Sequence, residues 1–179
     1  MPERKEFSYS IWLMPEGKDY QRLAAITNRL SKEYKSPQIR PHVTLVGGFV
    51  GDVEKFLYLA EGLARDISPI NVELGAIGTF DEFFRSVFLR AKKSNGLMVA
   101  YETVSNMIPD IDPHFSPNSQ TYLPHLSLIY GNFDPAKKQK IVESVQMPQR
   151  GFRATGFYCV ANNERDKVWP ELARFELTG

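Results

Sequence analysis

Hydrophobic and polar positions alternate with period two from the start of the chain: Phe7, Tyr9, Ile11 and Leu13 fall on one side of an extended segment, and Ser8, Ser10 and Trp12 on the other. Pro15-Glu16-Gly17 ends this first predicted strand. The period then becomes helical through Tyr20, Leu23, Ala24, Ile26, Thr27 and Leu30, until Ser36-Pro37 breaks it, and a second strand is predicted from about Arg40 to Gly47. Asp52 is placed to cap a helix carrying Val53, Phe56, Leu57, Ala60 and Leu63. Ile70 to Gly78 and Phe84 to Ala91 read as strands around a Thr79-Phe80-Asp81-Glu82 turn, and Leu97 to Ile108 as a helix. Tyr122 to Tyr130 reads as a strand, Asp134-Pro135 opens a helix to about Val145, and strands near Phe152 to Ala161 and Val168 to Leu177 complete the pattern. Between them, residues 109–119 are proline-rich and fit neither period, which marks a loop able to cover a ligand.

This order is α+β in two similar halves. Pro41-His42-Val43-Thr44-Leu45-Val46-Gly47-Gly48 is echoed by Pro124-His125-Leu126-Ser127-Leu128-Ile129-Tyr130-Gly131, and each echo precedes a helix. The chain is therefore expected to form a single bilobal domain over 1–179, with duplicated strand–helix units around 40–66 and 122–146.

The echo carries the candidate chemistry. Residues i and i+2 of a strand share a face, so His42 projects with Thr44 and His125 with Ser127. If the lobes pack face to face about a pseudo-twofold axis, two imidazoles and two hydroxyls converge in one cleft. Opening a cyclic phosphate needs a base to take a proton from water and an acid to protonate the departing ribose oxygen. Imidazoles, with an ordinary pKa near 6.5, can serve as both at neutral pH. The hydroxyls can donate to the non-bridging phosphate oxygens. This chemistry requires no metal and no cofactor. Purely structural histidines would not demand that two of the chain's three fall in the same pattern, each after proline and each two residues before a hydroxyl. His114, between Pro113 and Pro117, reads as a loop residue.

His42-Val43-Thr44 and His125-Leu126-Ser127 resemble the paired His-x-Thr/Ser signatures of the 2H phosphoesterases. The segments Ser10-Ile11-Trp12-Leu13-Met14-Pro15, Phe83-Phe84-Arg85-Ser86-Val87-Phe88-Leu89 and Tyr122 to Tyr130 are similar to segments of the plant-type cyclic phosphodiesterases. The resemblance implies a bilobal α+β fold with antiparallel sheet, outer helices and a central cleft. It further implies His42 and His125 as catalysts, Thr44 and Ser127 as phosphate ligands, and Trp12, Phe84 and Tyr130 as cleft-lining residues that meet the substrate. Strict alternation puts Tyr130 opposite His125, so a cleft-facing ring requires the strand to end or bulge near Ile129. The implied substrates are nucleoside 2′,3′-cyclic phosphates, opened to the 2′-phosphate, or ADP-ribose 1″,2″-cyclic phosphate, opened to ADP-ribose 1″-phosphate. The plant enzymes carry several cysteines that form disulfides, whereas Cys159 stands alone here.

Charge narrows the partners. With 22 basic and 21 acidic residues, the chain offers no broad cationic field for long nucleic acid, so a small nucleotide fits better than DNA. An enzyme acting on RNA ends bearing a terminal cyclic phosphate would need a basic groove. A non-catalytic RNA-binding protein would hold phosphates through Arg40, Arg85 and Arg150 and stack bases on its aromatics. One cysteine permits no internal disulfide, and no run approaches the roughly 18 apolar residues of a membrane span. The reading is thus a cytoplasmic monomer acting on a small nucleotide.

Overall fold

A computed structural model describes residues 8–107, 118, 120–146, 151–163 and 167–179. The predicted loop at 109–119, apart from Asn118, lies outside the described residues, as do His114 and Arg150. Nine strands and four helices are formed among the described residues: β1 (Ser8–Leu13), α1 (Gly17–Tyr34), β2 (Val43–Phe49), α2 (Val53–Asp66), β3 (Ile70–Val72), β4 (Leu74–Thr79), β5 (Val87–Ala91), α3 (Asn95–Met107), β6 (His125–Ile129), α4 (Pro135–Ser144), β7 (Phe152–Ala154), β8 (Gly156–Asn162) and β9 (Glu171–Glu176). Seven strands form one sheet in the order β4-β5-β6-β2-β1-β8-β9, and β3 pairs with β7 in a second, two-stranded sheet.

Several predicted strands are interrupted, each for a local reason. The segment 70–78 divides at Glu73, sending β3 to the small sheet and β4 to the large one. Phe84 is not on a strand: Phe83–Arg85 is a 3-10 turn, closed by the Arg85 amide donating to Glu82 O (3.2 Å) and by the Arg85 guanidinium folding back onto the Glu82 carboxylate. β9 begins after Pro170, which has no N–H to donate to a ladder.

The period-two pattern sorts the large sheet into two unlike faces. Ile11, Leu13, Val43, Leu45, Leu126 and Leu128 join the apolar faces of the helices, among them Leu23 and Leu30 of α1, Phe56 and Leu63 of α2, and Leu97 of α3, in one core. Burial of each such side chain contributes about 1.5–3 kcal/mol. The opposite face carries Trp12, Thr44 and Ser127 and forms the cleft. The two halves do not pack face to face. They join edge to edge through antiparallel pairing of β2 with β6 at Val43↔Leu126, over one core in which α1 packs against β6 and α3 against β2.

Candidate functional site

Val43 and Leu126 are the residues that follow the two motif histidines, so the pairing brings the two motifs together in antiparallel register. Extended by one residue each way, that register sets His42 across from Ser127 and Thr44 across from His125, all on the cleft side. Both imidazoles are anchored alike. His42 Nδ1 donates to the carbonyl of Arg40 (2.7 Å) and His125 Nδ1 to that of Leu123 (2.8 Å). A carbonyl only accepts, so each neutral ring carries its proton on Nδ1 and keeps Nε2 as a base.

Each motif strand also carries the same irregularity. Along β1, Ile11 pairs with Val46 and Trp12 with Thr44, leaving Leu45 as an extra residue; along β5, Val87 pairs with Ile129 and Phe88 with Ser127, leaving Leu128 extra. A bulge resets alternation. Leu45 with Val46, and Leu128 with Ile129, therefore turn consecutively into the core, and the next residues, Gly47 and Tyr130, return to the cleft. Gly48 and Gly131 follow with positive φ (80° and 151°), which glycine adopts at no steric cost.

The cleft encloses about 460 Å³. It brings together all seven residues singled out from the sequence: His42, Thr44, His125, Ser127, Trp12, Phe84 and Tyr130. Their surroundings differ. Trp12 is only 4 % exposed and stacks on His42 with ring centroids 3.5 Å apart and planes 8° from parallel. One face of that indole is thus taken by the imidazole, and the Arg40 guanidinium lies 5.6 Å from its centroid. Trp12 backs His42 rather than offering an open face to a base. Phe84, Tyr130 and Trp169 instead form an aromatic corner, with Phe84 edge-on to Tyr130 (5.2 Å, 90°) and to Trp169 (6.1 Å, 89°). The Ser127 hydroxyl donates to Phe84 O (2.8 Å), tying β6 to the 3-10 turn. Among the described residues no partner holds the Thr44 hydroxyl, while Tyr122 donates to the Thr44 carbonyl (2.9 Å).

Electrostatics separates the histidines. Burial, helped by the charges of His125 and Arg40, pulls His42 down to about 3, against the raising effect of its hydrogen bond to Arg40 O. His125 is also lowered, first by burial and then by Arg85, but it is more exposed and the Glu82 carboxylate opposes the shift. Both rings are neutral at pH 7, and His125 is the easier to charge. Arg85 is held bidentate by Glu82 (Nε to Oε2 2.9 Å, Nη2 to Oε1 2.7 Å) and Arg40 is paired with Glu171 (2.9 Å), so two of the three arginines considered for holding RNA phosphates have carboxylate partners. Among the described residues no group of three or more His, Cys, Asp and Glu side chains is arranged to hold a metal ion, and no helix is long and apolar enough to cross a membrane.

Trp169, Asn162, Tyr101 and Tyr122 line the cleft without having been singled out. Trp169 is one of only two tryptophans in the chain, a signal of sorts. Asn162, whose amide donates to Ser10 Oγ (2.7 Å) and Ser8 Oγ (3.1 Å), belongs to no motif.

Residues 7–170 match the family described as "Cyclic phosphodiesterase-like protein". The chain is 26% identical over 144 residues to a protein of Arabidopsis thaliana named "Cyclic phosphodiesterase", covering 80% of this chain and 76% of that one. The fold is similar to the crystal structure of TT0787 of Thermus thermophilus, with TM-score 0.67 and 17% identity over 96% of this chain and 98% of that one. It is also similar to Escherichia coli LigT complexed with 3′-AMP, with TM-score 0.60 and 14% identity over 97% and 99%. These likenesses bear out the α+β fold.

Proposed function

The chain belongs to the cyclic phosphodiesterase-like family, and on that premise we propose that it opens ribose cyclic phosphates by proton transfer through His42 and His125. The observation that carries this reading is the pairing of the two motifs at Val43↔Leu126, which gathers two Nε2 atoms and two hydroxyls on one wall of the cleft. The substrates are small: nucleoside 2′,3′-cyclic phosphates, opened to 2′-phosphates, and ADP-ribose 1″,2″-cyclic phosphate, opened to ADP-ribose 1″-phosphate. The 3′-AMP complex of LigT is in keeping with a nucleotide of this size.

On this reading His42, held neutral, takes a proton from water on Nε2 as the water oxygen bonds to phosphorus. His125, protonated once the phosphodiester anion has entered, gives its proton to O3′ as the P–O3′ bond breaks. The product carries a 2′-phosphate and a free 3′-hydroxyl, and the two histidines re-equilibrate with solvent. The unequal surroundings of the rings support this division, since the deeper ring stays a base and the ring beside Glu82 is easier to charge. Thr44 donates to a non-bridging oxygen, and Ser127 does so by turning from Phe84 O. The base stacks in the corner of Phe84, Tyr130 and Trp169. The common anchoring of the histidines, the common bulge and the Asp52 and Asp134 caps on the following helices support duplicated units at 40–66 and 122–146.

The test is turnover of nucleoside 2′,3′-cyclic phosphates in EDTA by the wild type, His42→Ala and His125→Ala, with the released isomer identified. EDTA-resistant 2′-phosphate release, lost in both folded variants, is the expected result. No turnover of these substrates or of ADP-ribose 1″,2″-cyclic phosphate by folded protein would overturn the reading.

A further inference from the structure

Of the three lysines on α4, Lys137 and Lys140 are exposed, whereas Lys138 is only 7 % exposed. An ammonium taken out of water is costly unless its protons find acceptors. Lys138 Nζ finds two: it donates to the Phe80 carbonyl (2.8 Å) and to the Asp81 carboxylate, which is itself almost fully exposed. Both acceptors belong to the turn between β4 and β5. Lys138 does not line the cleft, and the proton transfer has no use for it.

The bond to Phe80 O is one of three of the same kind. Gly131 N donates to Phe83 O (2.9 Å) and Ser127 Oγ to Phe84 O (2.8 Å). All three donors come from the continuous β6–α4 stretch, 127–138, and all three acceptors are carbonyls of residues 80–84. The turn also closes on itself, with Phe80 N donating to Arg85 O (3.2 Å) and Ser86 O (3.3 Å). Fixing Phe80 therefore fixes both ends of the turn, while Ser127 and Gly131 hold its middle. What hangs from these bonds is one wall of the cleft: Glu82, Phe84 and Arg85 line it, and the Phe84 ring stands edge-on to Tyr130 and Trp169.

We propose that Lys138 is a positioning residue for base binding: through Phe80 O it sets the 80–85 turn, and so holds the Phe84 ring in the aromatic corner. The inference rests on the phosphodiesterase reading of the cleft. Losing the Lys138 bond releases the ends of the turn while Ser127 and Gly131 still tie it to β6. The loss therefore falls on the base contact and spares the histidines.

The test is steady-state kinetics of wild type and Lys138→Met on two substrates: a nucleoside 2′,3′-cyclic phosphate, and methyl ribofuranoside 2,3-cyclic phosphate, which has the same ring and no base. For the nucleoside substrate KM is expected to rise about fivefold, in the range of one aromatic contact. Its kcat should stay within about twofold, the pattern of lost uniform binding. For the substrate without a base both constants should match the wild type. Asp81→Asn, which keeps an acceptor for the ammonium and removes only an exposed charge, should leave the nucleoside KM within about twofold. A merely structural lysine would lower the active fraction and affect both substrates alike. Equal losses on the two substrates, or an unchanged nucleoside KM, would overturn the positioning role and leave the phosphodiesterase reading intact. Should Lys138→Met fail to fold, Lys138→Gln, with a shorter neutral donor, is judged by the same comparison. Turnover of neither substrate by folded wild type would instead remove the phosphodiesterase reading. In that event amide hydrogen exchange decides: the ratio of the Gly131 rate to that of Ile11 in β1 should rise at least about tenfold in the Lys138 variant as the turn opens locally, and an unchanged ratio overturns the proposal.

Discussion

Val43 and Leu126 are partners across the junction of β2 and β6, and each is fully buried beneath the histidine that precedes it. The junction that joins the halves is therefore the same structure that positions the two candidate proton carriers. Leu126→Ala is expected to lower unfolding stability by about 2–5 kcal/mol, as for a buried leucine truncated to alanine. It should also reduce kcat with little change in KM, because the histidines rather than the base contacts lose their relative position. Denaturant unfolding and steady-state kinetics on the same variant check both.

Removing either histidine deletes a proton-transfer partner. His42→Ala and His125→Ala should each lower kcat by about 10²–10⁴-fold, the usual range for a positioned acid or base. Far-UV circular dichroism should remain that of the wild type, since neither ring supplies a sheet hydrogen bond.

The depressed pKa values set the sign of two pH effects. In the unfolded chain these histidines bind protons below about 6.5, whereas the folded protein resists doing so, His42 down to about 3. The stability this contributes is complete above the unfolded value and is lost as pH falls toward the folded one, by up to about 1.4 kcal/mol per pH unit for each histidine. Denaturation midpoints should fall steadily below pH 6.5, and less steeply in His42→Asn. In catalysis, the alkaline limb of kcat/KM should lie below the ordinary histidine range, because it reports His125 in the free enzyme, whose pKa burial lowers. The kcat limb should lie higher, because bound phosphodiester favours the charged ring.

Trp12 shields one face of His42. Trp12→Ala admits water there, so the His42 pKa should rise from about 3 toward its ordinary value, measurable by NMR titration of the imidazole, and the acid limb of kcat/KM should rise with it. Trp12→Phe, which keeps an aromatic face, should shift it less.

Ser127 and Thr44 should part company on substitution. Ser127→Ala leaves Phe84 O without its donor and costs about 1–3 kcal/mol of stability, with a raised KM as the 3-10 turn loosens. Thr44→Val, whose hydroxyl has no protein partner among the described residues, should spare stability and lower kcat.

Much of this site was legible in the sequence because it is encoded locally. Proline, histidine and hydroxyl recur at fixed spacing, and period-two alternation states which side each occupies. The aspartate-capped helices were equally plain, since Asp52 and Asp134 bond the backbone only three residues on. What escaped depends on contacts between distant segments. Trp169 reaches the cleft because of how the chain enters β9, and Phe84 sits on a turn closed by an Arg85–Glu82 chelate that alternation does not register. The bulge at Leu128 was foreseeable only as a condition on Tyr130, and its counterpart at Leu45 changes no side chain in the cleft, because the residue it returns there is Gly47.

That last pairing of positions has a chemical consequence. A site built from two matching halves is ambidextrous: a five-membered cyclic phosphate could dock in either of two orientations, presenting one ribose oxygen or the other to the acid, and yield two regioisomers. Tyr130 fills one of the matching positions with a ring and Gly47 leaves the other bare, so the two dockings are no longer degenerate. On the proposed reading, the choice of which substrate bond breaks should then depend on Tyr130 as well, a residue outside the proton transfer itself.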